Sequence, residues 1–220
     1  MNQKNTVARQ LSASGLDQDA SLWLPLLTLL AHGDPVDIPA LAAATGRSVQ
    51  EVRLALVAMP DIEYEDGRIV GWGLTLRPTA HRLEVHGEQL YTWCALDTLI
   101  FPTLLGTSAR IESATPGTGV PVRVSVGPDG ATAVSPATAV VSLVNPKDMT
   151  SVRSAFCNQV HYFDSPESAQ PWLEAHPEGE VVPVADAYAL GVGLAQTMLT
   201  AEATARAQPA VAPPQQAGCC

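Results

Sequence analysis

Basic residues are scarce in this chain: 12 lysines and arginines stand against 22 aspartates and glutamates among 220 residues, a formal charge of −10. That balance disfavours a protein held on nucleic acid or on an anionic membrane surface by its electrostatic field. No apolar run reaches the roughly 18 residues that a membrane span requires, and no positively charged start leads into an apolar signal core. The chain is therefore expected in the cytoplasm, with neither nucleic acid nor membrane as partner. Cysteine is scarce too, at four residues. Cys94, Cys157 and the adjacent Cys219 and Cys220 fit neither a zinc-ligand spacing nor a secreted disulfide framework, so they are expected as thiols. Against these absences, 46% of residues are hydrophobic and only 15% charged. That is enough apolar material for the core of one large or two small domains.

Two of the cysteines stand in aromatic, apolar surroundings. Reading Tyr91-Thr92-Trp93-Cys94-Ala95-Leu96-Asp97-Thr98-Leu99-Ile100-Phe101-Pro102 as a helix places Cys94 and Asp97 on one face, about one turn apart. Two thiols and a carboxyl in such a setting suit either a soft metal or acid-assisted thiolate chemistry.

The spacing of apolar and breaking residues predicts a polar arm over residues 1–20 and a first module over 21–80. In that module a buried helix, Ser21 to Ala31, is followed by a short one, Ile38 to Ala44. Ser48 then caps a third helix, Val49 to Met59, with Glu51 in the capping-box position. Strands around Glu63-Tyr64 and Arg68 to Leu76 follow, joined by Asp66-Gly67, a hairpin signal. Three helices and a hairpin are the order of a winged helix-turn-helix. DNA binding is nevertheless disfavoured, because Gly46-Arg47-Ser48-Val49-Gln50-Glu51-Val52-Arg53 carries two arginines and no basic cluster for phosphate contacts. Residues 81–200 predict short strands at Leu83 to Val85, Ala109 to Ser113, Val120 to Val126, Ala139 to Val144 and Gln159 to Phe163. They also predict helices at Ser165 to His176 and Pro183 to Leu199, with a short helix or turn at Lys147 to Phe156. Residues 201–220, rich in Ala, Pro and Gln, read as a flexible tether ending in Cys219-Cys220. The expected class is α+β: an N-terminal winged helix-turn-helix-like module, then small antiparallel sheets flanked by helices.

The segment Leu90 to Pro102, with its Trp93-Cys94-Ala95-Leu96-Asp97 core, together with Phe156-Cys157-Asn158-Gln159-Val160-His161-Tyr162-Phe163, resembles the signature of the organomercurial, or alkylmercury, lyases. The likeness includes Gly73 to Arg77 and Ala139 to Val144 and spans about Leu22 to Met198. It implies cleavage of the carbon–mercury bond by protonolysis, as part of mercury detoxification. It also implies mercury bound by Cys94 and Cys157 with Asp97 handling the proton, no resident cofactor, and a small-molecule thiol to release Hg(II). Softness agrees independently, since thiolates bind mercury well while a carboxylate is the better proton carrier. The chain departs from some relatives in lacking a cysteine in Ile111-Glu112-Ser113-Ala114 and in carrying Asn158 after Cys157.

Trp93, Phe101, Tyr162 and Phe163 read as core or pocket wall, His161 as a structural histidine, and Asp164 and Asp186 as turn or cap residues. The terminal Gly218-Cys219-Cys220 is similar to the vicinal cysteines ending mercuric reductases, which implies handover of Hg(II) to such an enzyme along a flexible tether. Two rival readings share some of these residues. A non-enzymatic mercury or copper binding or transfer protein would have no need of Asp97, and a winged-helix metal-responsive regulator would need a basic recognition helix.

Overall fold

The computed structural model describes residues 20–145 and 151–207. The predicted polar arm up to Asp19, the stretch Pro146 to Thr150 and the tail with Cys219 and Cys220 lie outside the described residues.

Helix α1, Ala20–Leu30, turns Leu22, Trp23, Leu26, Leu27 and Leu30 inward, each at most 3% exposed. Pro25 falls inside this helix. Helix α2, Ile38–Thr45, stops at Gly46, whose φ of 68° is left-handed and whose N–H closes onto the carbonyls of Ala42 and Ala43. Helix α3, Val49–Ala58, opens on the predicted capping box: the Ser48 hydroxyl accepts the Glu51 N–H and the Glu51 carboxylate accepts the Ser48 N–H. The wing follows as β1, Glu63–Glu65, and β2, Arg68–Trp72. Asp66 and Gly67 turn at φ 49° and 77°, the paired left-handed conformation a two-residue hairpin requires.

The wing does not end the sheet. Strands β3 (Leu74–Thr75), β4 (His81–Val85), β5 (Glu88–Thr92), β6 (Ala109–Ala114), β7 (Pro121–Gly127) and β8 (Gly130–Ser135) extend it. The result is one antiparallel sheet of eight strands, ordered β1-β2-β3-β5-β4-β6-β7-β8. Leu83 and Val85 on β4, Ile111 on β6 and Val122, Val124 and Val126 on β7 alternate inward, the period-two burial of a sheet with one covered face. A second sheet pairs β9 (Val140–Leu143) with β10 (Tyr162–Phe163) on one side and β11 (Glu180–Pro183) on the other. The covering helices are α4 (Asp97–Leu104), the short α5 (Val152–Ala155), α6 (Gln170–Ala175) and α7 (Val184–Ala207). Helix α7 lies against α4 so closely that a Cβ on Gly191 would stand 3.3 Å from the Leu99 backbone. One hydrophobic core runs from Leu22 through Cys94 and Cys157 to Ala195.

Several elements differ from their predicted form. Tyr91 and Thr92 end strand β5 instead of opening a helix, because Leu90 to Thr92 pair with Leu83 to His81. The helix thus begins only at Asp97. Cys157 lies in a 3-10 turn, Cys157–Gln159, and strand structure resumes only at Tyr162. Ser165 closes a turn through the Ser168 N–H at 3.3 Å, and helix starts at Gln170. Glu180 to Pro183, in part predicted as helix, pair with β9. Among the described residues no helix is long and apolar enough to cross a membrane.

Candidate active site

After β5 the chain bends through Trp93 and Cys94 before α4 begins. The bend is tied on three sides. The Trp93 N–H donates to the Gly73 carbonyl at 2.9 Å, the Ala95 N–H to the Val160 carbonyl at 3.1 Å, and the Thr92 hydroxyl to the Cys94 carbonyl at 2.8 Å. Cys94 is therefore not one helical turn from Asp97 on a shared face; it precedes the helix that Asp97 starts. The two groups meet by another route. The Cys94 sulfur accepts the Asp97 backbone N–H at 3.4 Å, at the helix end where free N–H groups favour a negative ligand.

Cys157 arrives from the other side on its 3-10 turn, its Sγ 3.9 Å from Asp97 Oδ2. The two sulfurs and a carboxylate oxygen of Asp97 all lie within 4.8 Å of one another. Both thiols are buried, at 0% and 3% exposure, while Asp97 keeps some surface. The structure thus brings together Cys94, Asp97 and Cys157, the only group of this kind among the described residues.

Burial governs the protons. It lifts the Cys94 thiol well above the ordinary range, and the neighbouring Cys157 and Asp97 add to the effect. For Cys157 a hydrogen bond with Cys94 acts to lower the value, but burial and the Asp97 and Asp61 carboxylates carry it upward. The Asp97 carboxyl is pushed up to about 7, again by burial, against hydrogen bonds with Cys94 that favour its ionised form. At neutral pH the unliganded site therefore holds protonated thiols beside a carboxyl poised to take or give a proton.

Asp97 and Cys157 face an apolar cavity of about 70 Å³, and Cys94 lies buried behind them. Trp23 and Leu27 of α1, Trp72 of β2, Trp93, Ile100 and Phe101 around α4, Phe156 and Met198 form its walls, and Asp61 reaches its rim. The first module thus supplies part of the enclosure. Trp93 and Phe101 are wall residues as predicted, whereas Tyr162 and Phe163 are core. The Tyr162 hydroxyl bonds Thr98 Oγ1 at 2.9 Å, and Phe163 packs with Ala169 and Trp172. His161 stacks on buried His81 at 6.0 Å and does not border the cavity. Sequence reasoning missed a polar chain beside the Trp93 wall. Glu63, 7% exposed, bonds Thr75 and pairs with Arg153, whose guanidinium lies 4.7 Å over the Trp93 ring. Lone charged residues in a strand and a short helix carry no pairing signal in one dimension.

Comparison with known proteins adds the identity of this arrangement. The pattern described as alkylmercury lyase matches residues 74–196, and that described as the helix-turn-helix domain of alkylmercury lyase matches residues 6–73. The chain belongs to the alkylmercury lyase family. It is 56% identical over 182 residues to the alkylmercury lyase of Streptomyces lividans, covering 82% of this chain and 85% of that one. Against the alkylmercury lyase of Staphylococcus epidermidis it is 57% identical over 171 residues, covering 77% and 79%. The solved mercury-bound form of MerB2 superposes with a TM-score of 0.75 at 27% identity, covering 90% of this chain and all of that one. The alkylmercury lyase relatives carry an enzyme's name, so the carrier and regulator readings are not favoured. The two family matches meet between Gly73 and Leu74, inside the eight-stranded sheet.

Proposed function

We propose that this chain cleaves the carbon–mercury bond of organomercurials by protonolysis, giving a hydrocarbon and Hg(II) in mercury detoxification. Cys94 and Cys157 are the mercury ligands and Asp97 the proton carrier. The observation that supports these roles is two thiols and a carboxyl within 4.8 Å of one another, with Cys157 and Asp97 opening onto an apolar cavity.

The organomercurial enters with its alkyl or aryl group against the aromatic walls. One thiol bonds mercury as its proton passes to Asp97, and the outgoing ligand of the substrate departs. The second thiol bonds mercury in turn, its proton passing to solvent, where it balances the charge of the departed ligand. Two thiolates on one mercury raise the electron density at the attached carbon. The carbon–mercury bonding pair stays with carbon and takes the proton from Asp97. Mercury remains at +2 throughout, now held by both sulfurs. An apolar wall keeps the carboxyl near neutral in affinity for its proton, so it can act in both directions.

A small-molecule thiol then exchanges onto Hg(II) to clear the site, in the cytoplasm. Cys219 and Cys220 collect the ion and pass it to a mercuric reductase. The motive for this last step is two adjacent soft ligands beyond a Pro- and Ala-rich stretch. Incubating the protein with phenylmercury and excess thiol while assaying for benzene tests the activity, and absence of benzene would refute it.

A further inference from the structure

Cys157 must stand beside Asp97, yet the turn carrying it has little structure of its own. Downstream it is held by the Val160 carbonyl, which accepts the Ala95 N–H at 3.1 Å, and by the His161 carbonyl, which accepts the Ser142 N–H at 2.9 Å. Upstream the holding comes from the helix-turn-helix module. Asp61, between α3 and β1, adopts a left-handed φ of 67°, and the preceding Pro60 carbonyl accepts the Trp72 indole N–H at 3.0 Å. The Asp61 carboxylate shares the Ser151 hydroxyl between its oxygens at 2.9 and 2.8 Å and accepts the Arg153 N–H at 3.3 Å. The same Ser151 oxygen accepts the Ser154 N–H at 3.1 Å, capping α5. Two residues beyond Asp61, Glu63 binds the Arg153 side chain.

We propose that Asp61 is a positioning residue for Cys157: through Ser151 and the Arg153 amide it holds the Cys157 segment where two-thiol capture of mercury needs it. This gives the helix-turn-helix module a task other than DNA, and it rests on the reading of Cys94 and Cys157 as the mercury pair. Both Asp61 oxygens are engaged by the α5 segment, so the residue acts through that segment and not on mercury. A left-handed aspartate is also a costly backbone choice, tolerated where surrounding contacts hold it.

The full-length chain tests this with Asp61→Ala, Asp61→Asn and Ser151→Ala. Two quantities are read: kcat and KM on phenylmercury, and retention of Hg(II) against dithiothreitol, followed by the ultraviolet thiolate–mercury absorption. Misplacing a reacting group by about 1 Å can cost about 100-fold. Asp61→Ala and Ser151→Ala should therefore lower kcat by about 10-fold or more, with little change in KM, and should weaken Hg(II) retention. Asp61→Asn, which keeps an acceptor oxygen, should restore most of both. In a Cys157→Ala background, Asp61→Ala should weaken retention no further. Wild-type kcat and retention in Asp61→Ala would overturn the proposal, as would Asn no better than Ala, or an equal loss of retention without Cys157. If Asp61→Ala fails to fold, Ser151→Ala cuts the same link from the other side. Hg(II) retention reports on positioning even if the wild-type chain releases no benzene, so failure of the functional reading remains distinct.

Discussion

The sulfur of Cys94 and the backbone nitrogen of Asp97 are 3.4 Å apart, so the residue that offers its carboxyl to the site also offers its amide to the first thiol. A single helix start thereby orients both groups. Cys94 acquires an N–H to stabilise its thiolate once the proton has gone, and the Asp97 side chain is left to face Cys157.

Removing either thiol should end the reaction without ending the fold. Cys94→Ala and Cys157→Ala are each expected to abolish organomercurial turnover while circular dichroism stays that of the wild type. Near wild-type turnover by either purified variant would refute the pair.

Asp97→Asn separates capture from cleavage. The variant should lose about 100-fold or more in protonolysis yet still retain Hg(II) through the cysteines, as read by mercury titration and single-turnover assay. An unchanged rate would assign the proton to a thiol or to water.

The same carboxyl makes stability depend on pH. In the folded chain it holds its proton up to about pH 7, against an ordinary value of 3.8. Between those values the folded state binds more protons than the unfolded one, so the Asp97 contribution falls as pH rises from about 4 to 7 and stays lost above. The raised thiol values act in the same direction at higher pH. Denaturant melts should show wild type losing stability relative to Asp97→Asn by about 2 to 4 kcal/mol between pH 4 and 8. A difference that is flat or of opposite slope would contradict the burial argument.

Gly73 joins the two modules at a φ of 77°, and an added Cβ would stand 2.8 Å from Phe101 Cζ. Gly73→Ala should therefore cost about 1 to 3 kcal/mol and, by displacing a cavity wall, raise KM for phenylmercury more than it lowers kcat. Thermal melts and steady-state kinetics check both, and a neutral effect would mean the wall yields freely.

Deletion of Ala217 to Cys220 should leave single-turnover cleavage unchanged and slow Hg(II) departure only when free thiol is scarce. Loss of single-turnover cleavage would place the tail in the catalytic step, and no effect at any thiol concentration would mean that it has no role in release.

Local chemistry determined much of this protein from the sequence alone. Ser48 and Glu51 mark a helix start, Gly46 a helix stop and Asp66-Gly67 a hairpin, because each acts on neighbours a few residues away. The Trp93-Cys94-Ala95-Leu96-Asp97 and Phe156-Cys157 segments singled out the residues that the structure brings together. The same local reading misjudged how they meet. Helical spacing accounted for Cys94 and Asp97 as neighbours, whereas pairing of Leu90 to Thr92 with β4 holds that stretch extended and leaves the meeting to a backbone N–H. Strand β8 was missed because its half-exposed edge shows no alternation to read, and β11 because its pairing with β9 links residues far apart in the chain. Tertiary structure alone decided that Asp61 grips the Cys157 segment, that Glu63 pairs with Arg153 and that the helix-turn-helix module walls the cavity. The Asp61 and Glu63 contacts join residues 90 positions apart, and a single sequence carries no term for a distance that only the folded chain defines.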